Sequence, residues 1–456
     1  MENQITINNT LISLIESKKF STVKDVLITM NSADIAVLFE DLPEEILPRI
    51  FRLLPKELAA DTFVEMETDL QELLIKGFSD KELKEVISEL YADDAVDIIE
   101  EMPANVVKRI LKQASPDMRK DINELLKYPE DSAGSVMTTE FVEFRESHTV
   151  SEAIEIIHKT GIDKETVNTC YVTSRGRILL GFITLRNLIM ANPDDKIGDL
   201  MQTNVISVTT DVDQETVAQE FKKYNFLAMP VVDAENRLVG IVTVDDVLDV
   251  IEEETTEDIV KMAAILPNDK TYLKTGVFET VKNRIPWLLL LMISATFTGL
   301  IISNFEAKLT LFPALIAFIP MLMDTGGNSG SQSAVTVIRS LSIGDIELGD
   351  IGKVIWKELR VALVCGIILS TISFFKIWII DIMLLSSSAT LMDDFIVCIT
   401  LLCTVLLAKL VGCTLPIFAQ KIGLDPAVMA SPFITTIVDA VSLLLYFTIA
   451  SALLQI

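Results

Sequence analysis

The feature that most limits what this chain can fold into is a series of five apolar stretches in its last third. They run Pro286 to Ile302, Leu311 to Ile338, Val354 to Phe375, Phe395 to Leu415 and Ala427 to Leu454. About 20 helical residues cross roughly 30 Å of hydrocarbon, and backbone polar groups there must be satisfied within the segment, so these stretches predict membrane helices. The last one carries a lone carboxylate, Asp439, near its middle. A carboxylate at that depth is costly and faces a bundle interior, a watery path or a cation. Two readings follow: a protonated Asp hydrogen-bonding between helices, or part of an ion path.

Charge divides the chain in the same place. Of 65 acidic and 38 basic residues, 11 and 8 lie from Pro286 onward, leaving 54 and 30 to the front, a net of about −24 out of −27. A front so acidic excludes nucleic acid as a partner and favours divalent cations. Met1 to Phe20 is polar with no signal-peptide core, so the front is expected in the cytoplasm. Five crossings then place the C-terminus outside. Arg339, Lys353, Lys357, Arg360 and Lys421 fall on the inner side against Lys308 and Lys376 outside, as the positive-inside rule expects. The five cysteines form no CxxC pair, and His148 and His158 are too far apart to signal a metal site.

Residues 1 to 127 show apolar residues at helical spacing broken by prolines. Asp34, Ile35, Leu38, Phe39, Glu40, Leu42 and Pro43 are echoed by Asp94, Ala95, Ile98, Ile99, Glu100, Met102 and Pro103. This predicts a weak repeat of short helices, an all-α acidic domain. Asp93, Asp94, Asp97, Glu100 and Glu101 crowd one stretch, either as a solvated face or as a cation-binding cluster.

From 128 to 251 the periodicity changes. Helices are predicted around Val150 to His158 and Gln214 to Tyr224, and strands at Asn168 to Val172, Leu179 to Ile183, Ala228 to Val232 and Leu238 to Val242, with turns at Arg175-Gly176 and Glu235-Asn236. The two similar units, ending in Gly240-Ile-Val-Thr243-Val-Asp245-Asp246, resemble a tandem CBS pair of α/β fold. That resemblance implies an adenine nucleotide, such as ATP, held by Thr243 at the phosphate and Asp246 at the ribose. The first unit keeps Thr184 but has Asn187 in place of the Asp, so one full site is expected.

Residues 252 to 285 read as a helix connecting this pair to the membrane. It opens with five carboxylates in seven positions, Glu252 to Asp258, more than helix-start electrostatics requires. The second apolar stretch contains Pro320, then Asp324-Thr-Gly326-Gly327-Asn328-Ser329-Gly330-Ser331-Gln332-Ser333. Together with Asp425-Pro426 and Pro432 around the fifth stretch, this suggests two broken helices lined by oxygen donors; a polar packing seam is the alternative.

The Gly326 to Ser333 run, Asp425-Pro426-Ala427, Pro432-Phe-Ile-Thr-Thr-Ile-Val-Asp439 and the order of domains resemble the MgtE family of bacterial magnesium transporters or channels. The resemblance covers nearly the whole chain. It implies a multidomain membrane protein: an all-α acidic helical-repeat domain (1–127), a tandem CBS pair (128–251), a connecting plug helix (252–285) and a five-helix transmembrane domain (286–456). It further implies a homodimer in the lipid bilayer of the bacterial cytoplasmic membrane, with Asp439 holding hydrated Mg²⁺ and with Asn328, Gly326, Gly327, Gly330, Asp324 and Asp425 as pore-lining candidates. Regulation by cytoplasmic Mg²⁺ is carried onto Asp93, Asp94, Asp97, Asp246, Asp249, Glu254, Glu257 and Asp258. The rival readings are a broader divalent-cation transporter, a carrier coupled to another ion, and a membrane-anchored CBS sensor without transport. Neither a Ser/Lys nor an HExxH arrangement points to an enzyme.

Overall fold

The computed structural model describes residues 10–268, 272, 275–309, 313–384, 390–429 and 431–454. It divides into two units, Met1–Ile251 and Glu252–Ile456.

The first unit begins with short helices of about two to three turns. Prolines set their pace, because a proline fits the first turn of a helix but removes a hydrogen bond from the interior of one this short. The Ser32–Glu40 helix and its echo, α1 (Ala92–Glu101), both stop ahead of a proline, and each buries the apolar residues that the repeat aligns. Phe39, Phe51, Phe63 and Phe78 form one ring cluster, with Phe51 5.3 Å from Phe78 between centroids. Their burial, with that of the neighbouring Leu and Ile, holds the helices together.

Next come two small sheets of identical topology. In the first, β1 (Phe141–Arg145) runs parallel to β2 (Thr166–Thr173), which pairs antiparallel with β3 (Leu179–Thr184). In the second, β4 (Val208–Thr209) runs parallel to β5 (Ala228–Val232), and β5 antiparallel to β6 (Leu238–Thr243). The four expected strands are present; β1 and β4 are additions that the sequence reading lacked. The two copies interlock. Thr138, at the start of the first copy, exchanges both backbone hydrogen bonds with Ile241 on β6, and Gln202 of the second does the same with Phe182 on β3. Gly240 makes this possible, since a Cβ there would sit 2.8 Å from the Thr138 carbonyl.

The helix α2 (Val244–Met262) leaves β6 directly. The connecting helix is thus present but starts earlier and ends sooner than the expected 252–285, and the next helix among the described residues starts at Val277. The second unit contains α3 (Val277–Leu309), α4 (Ile319–Ser342), α5 (Ile351–Lys376), α6 (Leu391–Lys421) and α7 (Ser431–Leu454). Among the described residues, four spans are long and apolar enough to cross a membrane: Val277–Phe305, Leu348–Ile380, Leu391–Lys421 and Pro426–Leu454. The fifth long helix, α4, misses that description because its Gly, Ser and Asn lower its apolarity. The two expected interruptions lie at the start of each stretch and not within the polar run: a short helix, Pro313–Ile316, precedes α4, and a 3-10 turn, Pro426–Met429, precedes α7. Pro320 and Pro432 stand in the first turns of α4 and α7, where a missing N–H costs nothing, and α4 runs unbroken through its glycines.

Helix α6 lies against α4, α5 and α7. Its crossing with α4 is so close that a Cβ on Gly412 would overlap the Gly330 carbonyl. Helix α3 packs on α7, where Phe305 stacks on Phe447 at 4.8 Å. Its remaining surface is exposed Leu289, Met292, Ile293 and Phe297, as a lipid-facing helix requires.

Candidate functional site: a polar seam among the membrane helices and an acidic cluster outside it

Asp439 projects from α7 with one carboxylate oxygen, Oδ1, buried and without a hydrogen-bond partner. Leaving such an atom unpaired in an apolar surrounding costs on the order of kilocalories. Asp324 on α4 is near enough for its charge to act on Asp439. One turn further along α4, Asn328 donates to Asp324 Oδ1 at 3.1 Å, and both side chains are exposed. The opposite face of α4 is made of contact points. Gly326 abuts Thr404, Val438 and Ser442; Gly327 abuts Thr435; Gly330 abuts Ile434 and Ala408. These glycines let the helices touch, and as members of an unbroken helix their carbonyls sit in the ladder. Ser331 Oγ lies 3.4 Å from Thr435 Oγ1 across the same seam. Thr404 and Ser442 were not singled out from sequence; both are buried beside Gly326, and Thr404 Oγ1 is another buried oxygen without a partner.

A second polar feature was also missed. Lys409 on α6 and Glu358 on α5 are both buried, with Lys409 Nζ 3.8 Å from Glu358 Oε2. Ser333 of α4 joins them, donating to Glu358 and accepting from Lys409 at 3.3 Å. The signal available was one lysine, Lys409, inside the apolar stretch Phe395 to Leu415 of that helix.

Where α2 ends, Lys261 Nζ stands 2.7 Å from Asp425 Oδ2 and 2.7 Å from Glu257 Oε1. Asp258 accepts from Ser342 Oγ at 3.1 Å, and Met262 packs on the cluster formed by Ala334, Ile338, Ala427 and Val438. Asp425 Oδ1 accepts from the backbone N–H of Ala427 at 2.7 Å. Asp425 thus meets the connecting helix directly.

In the first unit, α1 and the start of α2 bring acids together. Asp93 is buried and its Oδ1 has no partner. Burial, then the charges of Asp94, Asp246, Glu165 and Glu140, push its carboxyl well above the usual range. Asp94 is pushed up to about 6, by burial first and Asp246 second, and Glu165 to about 8 by burial and then Asp246. Glu140 and Glu165 were not among the sequence candidates. Asp246 accepts from Thr243 Oγ1 at 2.6 Å, so the two nucleotide candidates face each other. Asp97 and Asp249 are exposed, while Glu254, Glu257 and Asp258 follow on α2 within the second unit. Among the described residues no three His, Cys, Asp or Glu side chains stand close enough to hold a metal ion. The acids form a shared negative field, a better match to a cation that keeps its water than to a dry cage.

The chain matches the family described as "Divalent cation transporter" over residues 319–449, the MgtE intracellular N domain over 30–131, and CBS domains over 133–194 and 197–253. It is 35% identical to the magnesium transporter MgtE of Thermus thermophilus, over 95% of each chain. The chain belongs to the MgtE family. MgtE of Bacillus subtilis is 33% identical over 98% of this chain and 97% of its own. Among solved structures, the soluble part of a magnesium transporter is similar at 31% identity, covering 56% of this chain and 99% of that one with a TM-score of 0.51. The cytosolic domain of the Mg²⁺ channel MgtE in complex with ATP is similar at 35% identity, covering 53% and 99%, also with a TM-score of 0.51. MgtE proteins are multi-pass membrane transporters, not enzymes, and the acidic helices, CBS pair and membrane helices of this chain are their parts.

Proposed function

We propose that this protein is a Mg²⁺ channel of a bacterial cytoplasmic membrane, closed by high cytoplasmic Mg²⁺. The observation that carries the reading is the unpaired, buried Oδ1 of Asp439 beside the exposed Asp324 and Asn328 of α4. A polar helix face left open on a membrane protein needs a cover, and a second copy of the chain supplies one while enclosing a polar path. Mg²⁺ is the cargo. It is small, octahedral and slow to shed water, so a carboxylate and an amide that bind through its hydration shell suit it better than a full set of direct ligands.

The domains are assigned as residues 1–127, 128–251, 252–285 and 286–456, with the N-terminus cytoplasmic and the C-terminus outside. Asp93, Asp94 and Asp246, joined by Glu140 and Glu165, would hold regulatory Mg²⁺, with Asp97 and Asp249 extending that acidic surface; Glu254, Glu257 and Asp258 on α2 are proposed as further Mg²⁺-sensing carboxylates. Support comes from the orphaned Asp93 oxygen and the raised carboxyls, since a divalent cation would relieve both. Thr243 and Asp246 would hold the phosphate and ribose of ATP, the nucleotide in the similar cytosolic structure.

The test is Mg²⁺ flux into proteoliposomes, wild type beside Asp439→Ala, with Mg²⁺ varied on the side of the soluble domains. Flux should require Asp439 and fall as that Mg²⁺ rises. Equal flux through both proteins would overturn the pore assignment. Parallel runs with Mn²⁺ and Co²⁺ read selectivity, which affinity alone would order against Mg²⁺.

A further inference from the structure

The final turn of α2 is held to the membrane helices by three different contacts: Met262 in an apolar cluster, Asp258 to Ser342, and Lys261 to Asp425. Only the last joins opposite charges. From Glu252 to Met262 the helix carries Glu252, Glu253, Glu254, Glu257 and Asp258, with Lys261 as its one basic residue. Seating so acidic a segment beside Asp425 sets like charges against each other: Asp425 acts on Asp258, and the carboxyl of Asp258 lies above its ordinary value, chiefly from burial. The Lys261 ammonium stands between Glu257 and Asp425 at 2.7 Å from each, with its side chain 23% exposed. Glu257, one turn back on the same helix, aims it. Asp425 is itself fixed, because its other oxygen caps the turn that leads into α7, the helix of Asp439.

We propose that Lys261 is a built-in, metal-independent clamp that holds the connecting helix on the membrane helices, so that closure has a basal component to which divalent cations add. The proposal rests on the closing role assigned above to that helix. It gives the lysine a sign opposite to its rival. As a clamp, its loss weakens closure. As a mere occupant of a cation site, its loss would free Glu257 and Asp425 for a divalent cation and strengthen closure.

The experiment is Mg²⁺ flux through full-length protein in proteoliposomes, for wild type, Lys261→Met and Lys261→Arg. Two quantities are read: flux with a chelator on the cytoplasmic side, and the cytoplasmic Mg²⁺ that halves flux. Lys261→Met should raise the chelator-side flux and raise the half-closing concentration by about fivefold, the shift expected from losing one partly buried ion pair. Lys261→Arg should restore both toward wild type, since a guanidinium still reaches a carboxylate. An unchanged or lowered half-closing concentration in Lys261→Met, with chelator-side flux unchanged, overturns the clamp. If wild-type flux ignores cytoplasmic Mg²⁺, the sensor reading fails, and the clamp is then decided by the chelator-side flux of Lys261→Met alone, equal flux refuting it.

Discussion

Replacing Lys409 by Met should be among the most damaging single changes in the membrane unit, and replacing Glu358 at the same time should largely undo the damage. Both groups are buried, their charges are 3.8 Å apart, and Ser333 bonds to each, so three helices, α4, α5 and α6, share one polar knot. Taking away the ammonium leaves a carboxylate in low dielectric with one hydroxyl donor. Breaking a buried pair in this way costs about 3–5 kcal/mol, whereas replacing both members by apolar residues of similar volume is close to neutral. At about 2–4 °C per kcal/mol for a unit of this size, Lys409→Met should lower the melting temperature of the detergent-solubilised protein by roughly 6–20 °C. Lys409→Met with Glu358→Leu should recover most of it, a coupling of roughly 3 kcal/mol between the sites. The assay is a thermal melt followed by helical circular dichroism, on all four members of the cycle. A fall of less than about 1 kcal/mol for the single change would mean that water reaches the pair. A double variant as unstable as the single would mean that the side-chain volumes, not the charges, hold the knot, and either result refutes the argument.

Two further outcomes follow from the packing and the acids. Gly412→Ala should destabilise more than Gly330→Ala, because the added methyl meets a backbone carbonyl at Gly412, whereas at Gly330 its nearest contacts are Ile434 at 3.0 Å and the Ala408 carbonyl at 3.1 Å; the same melts should show a loss of about 1–3 kcal/mol for Gly330→Ala and more for Gly412→Ala. The raised carboxyls of Asp93, Asp94 and Glu165 stabilise the first unit fully below about pH 4, and that contribution is lost as pH rises through about 6 and then about 8. Without divalent cations the soluble unit should therefore melt lower at pH 8 than at pH 6, and added Mg²⁺, which needs the ionised form, should raise its melting point more at pH 8; equal gains at both would remove these acids from the cation site.

Much of the fold was legible because its signals are local. Proline spacing marked the short helices, Val/Ile runs between turns marked β2, β3, β5 and β6, and apolar length marked the membrane spans. What escaped depends on partners distant in sequence. Strand β4 is only Val208–Thr209, too short to leave a period, and the exchange of Thr138 and Gln202 between the two copies is set by close approach at Gly240 and Gly181 rather than by composition. Pro320 and Pro432 do mark where α4 and α7 begin, but a proline looks the same in a first turn and in an interior, so the sequence could not show that the polar run after Pro320 stays in one unbroken helix. At the site, Asp439, Asp324 and Asn328 stood out because polar residues in apolar runs are conspicuous. Lys409 and Glu358 sit at helix positions where sequence shows two charges and cannot show that they meet. The glycines of α4 were legible as close contacts, but which helix they touch was not.

The way the membrane unit treats its acids argues for the ion path more strongly than any one residue does. Glu358 is given a lysine and a serine hydroxyl. Asp393 is given the hydroxyl and the N–H of Thr390, both at 2.8 Å, as the cap of α6. Asp425 is given Lys261 and the N–H of Ala427. Unlike these three, Asp439 has its Oδ1 buried and unpaired, with Asp324, another acid, acting on it from α4. An unpaired oxygen inside a helix bundle serves no packing purpose and costs stability. Under the proposed function, the charge that completes Asp439 would come from outside the chain, and a hydrated divalent cation beside Asp324 would supply it.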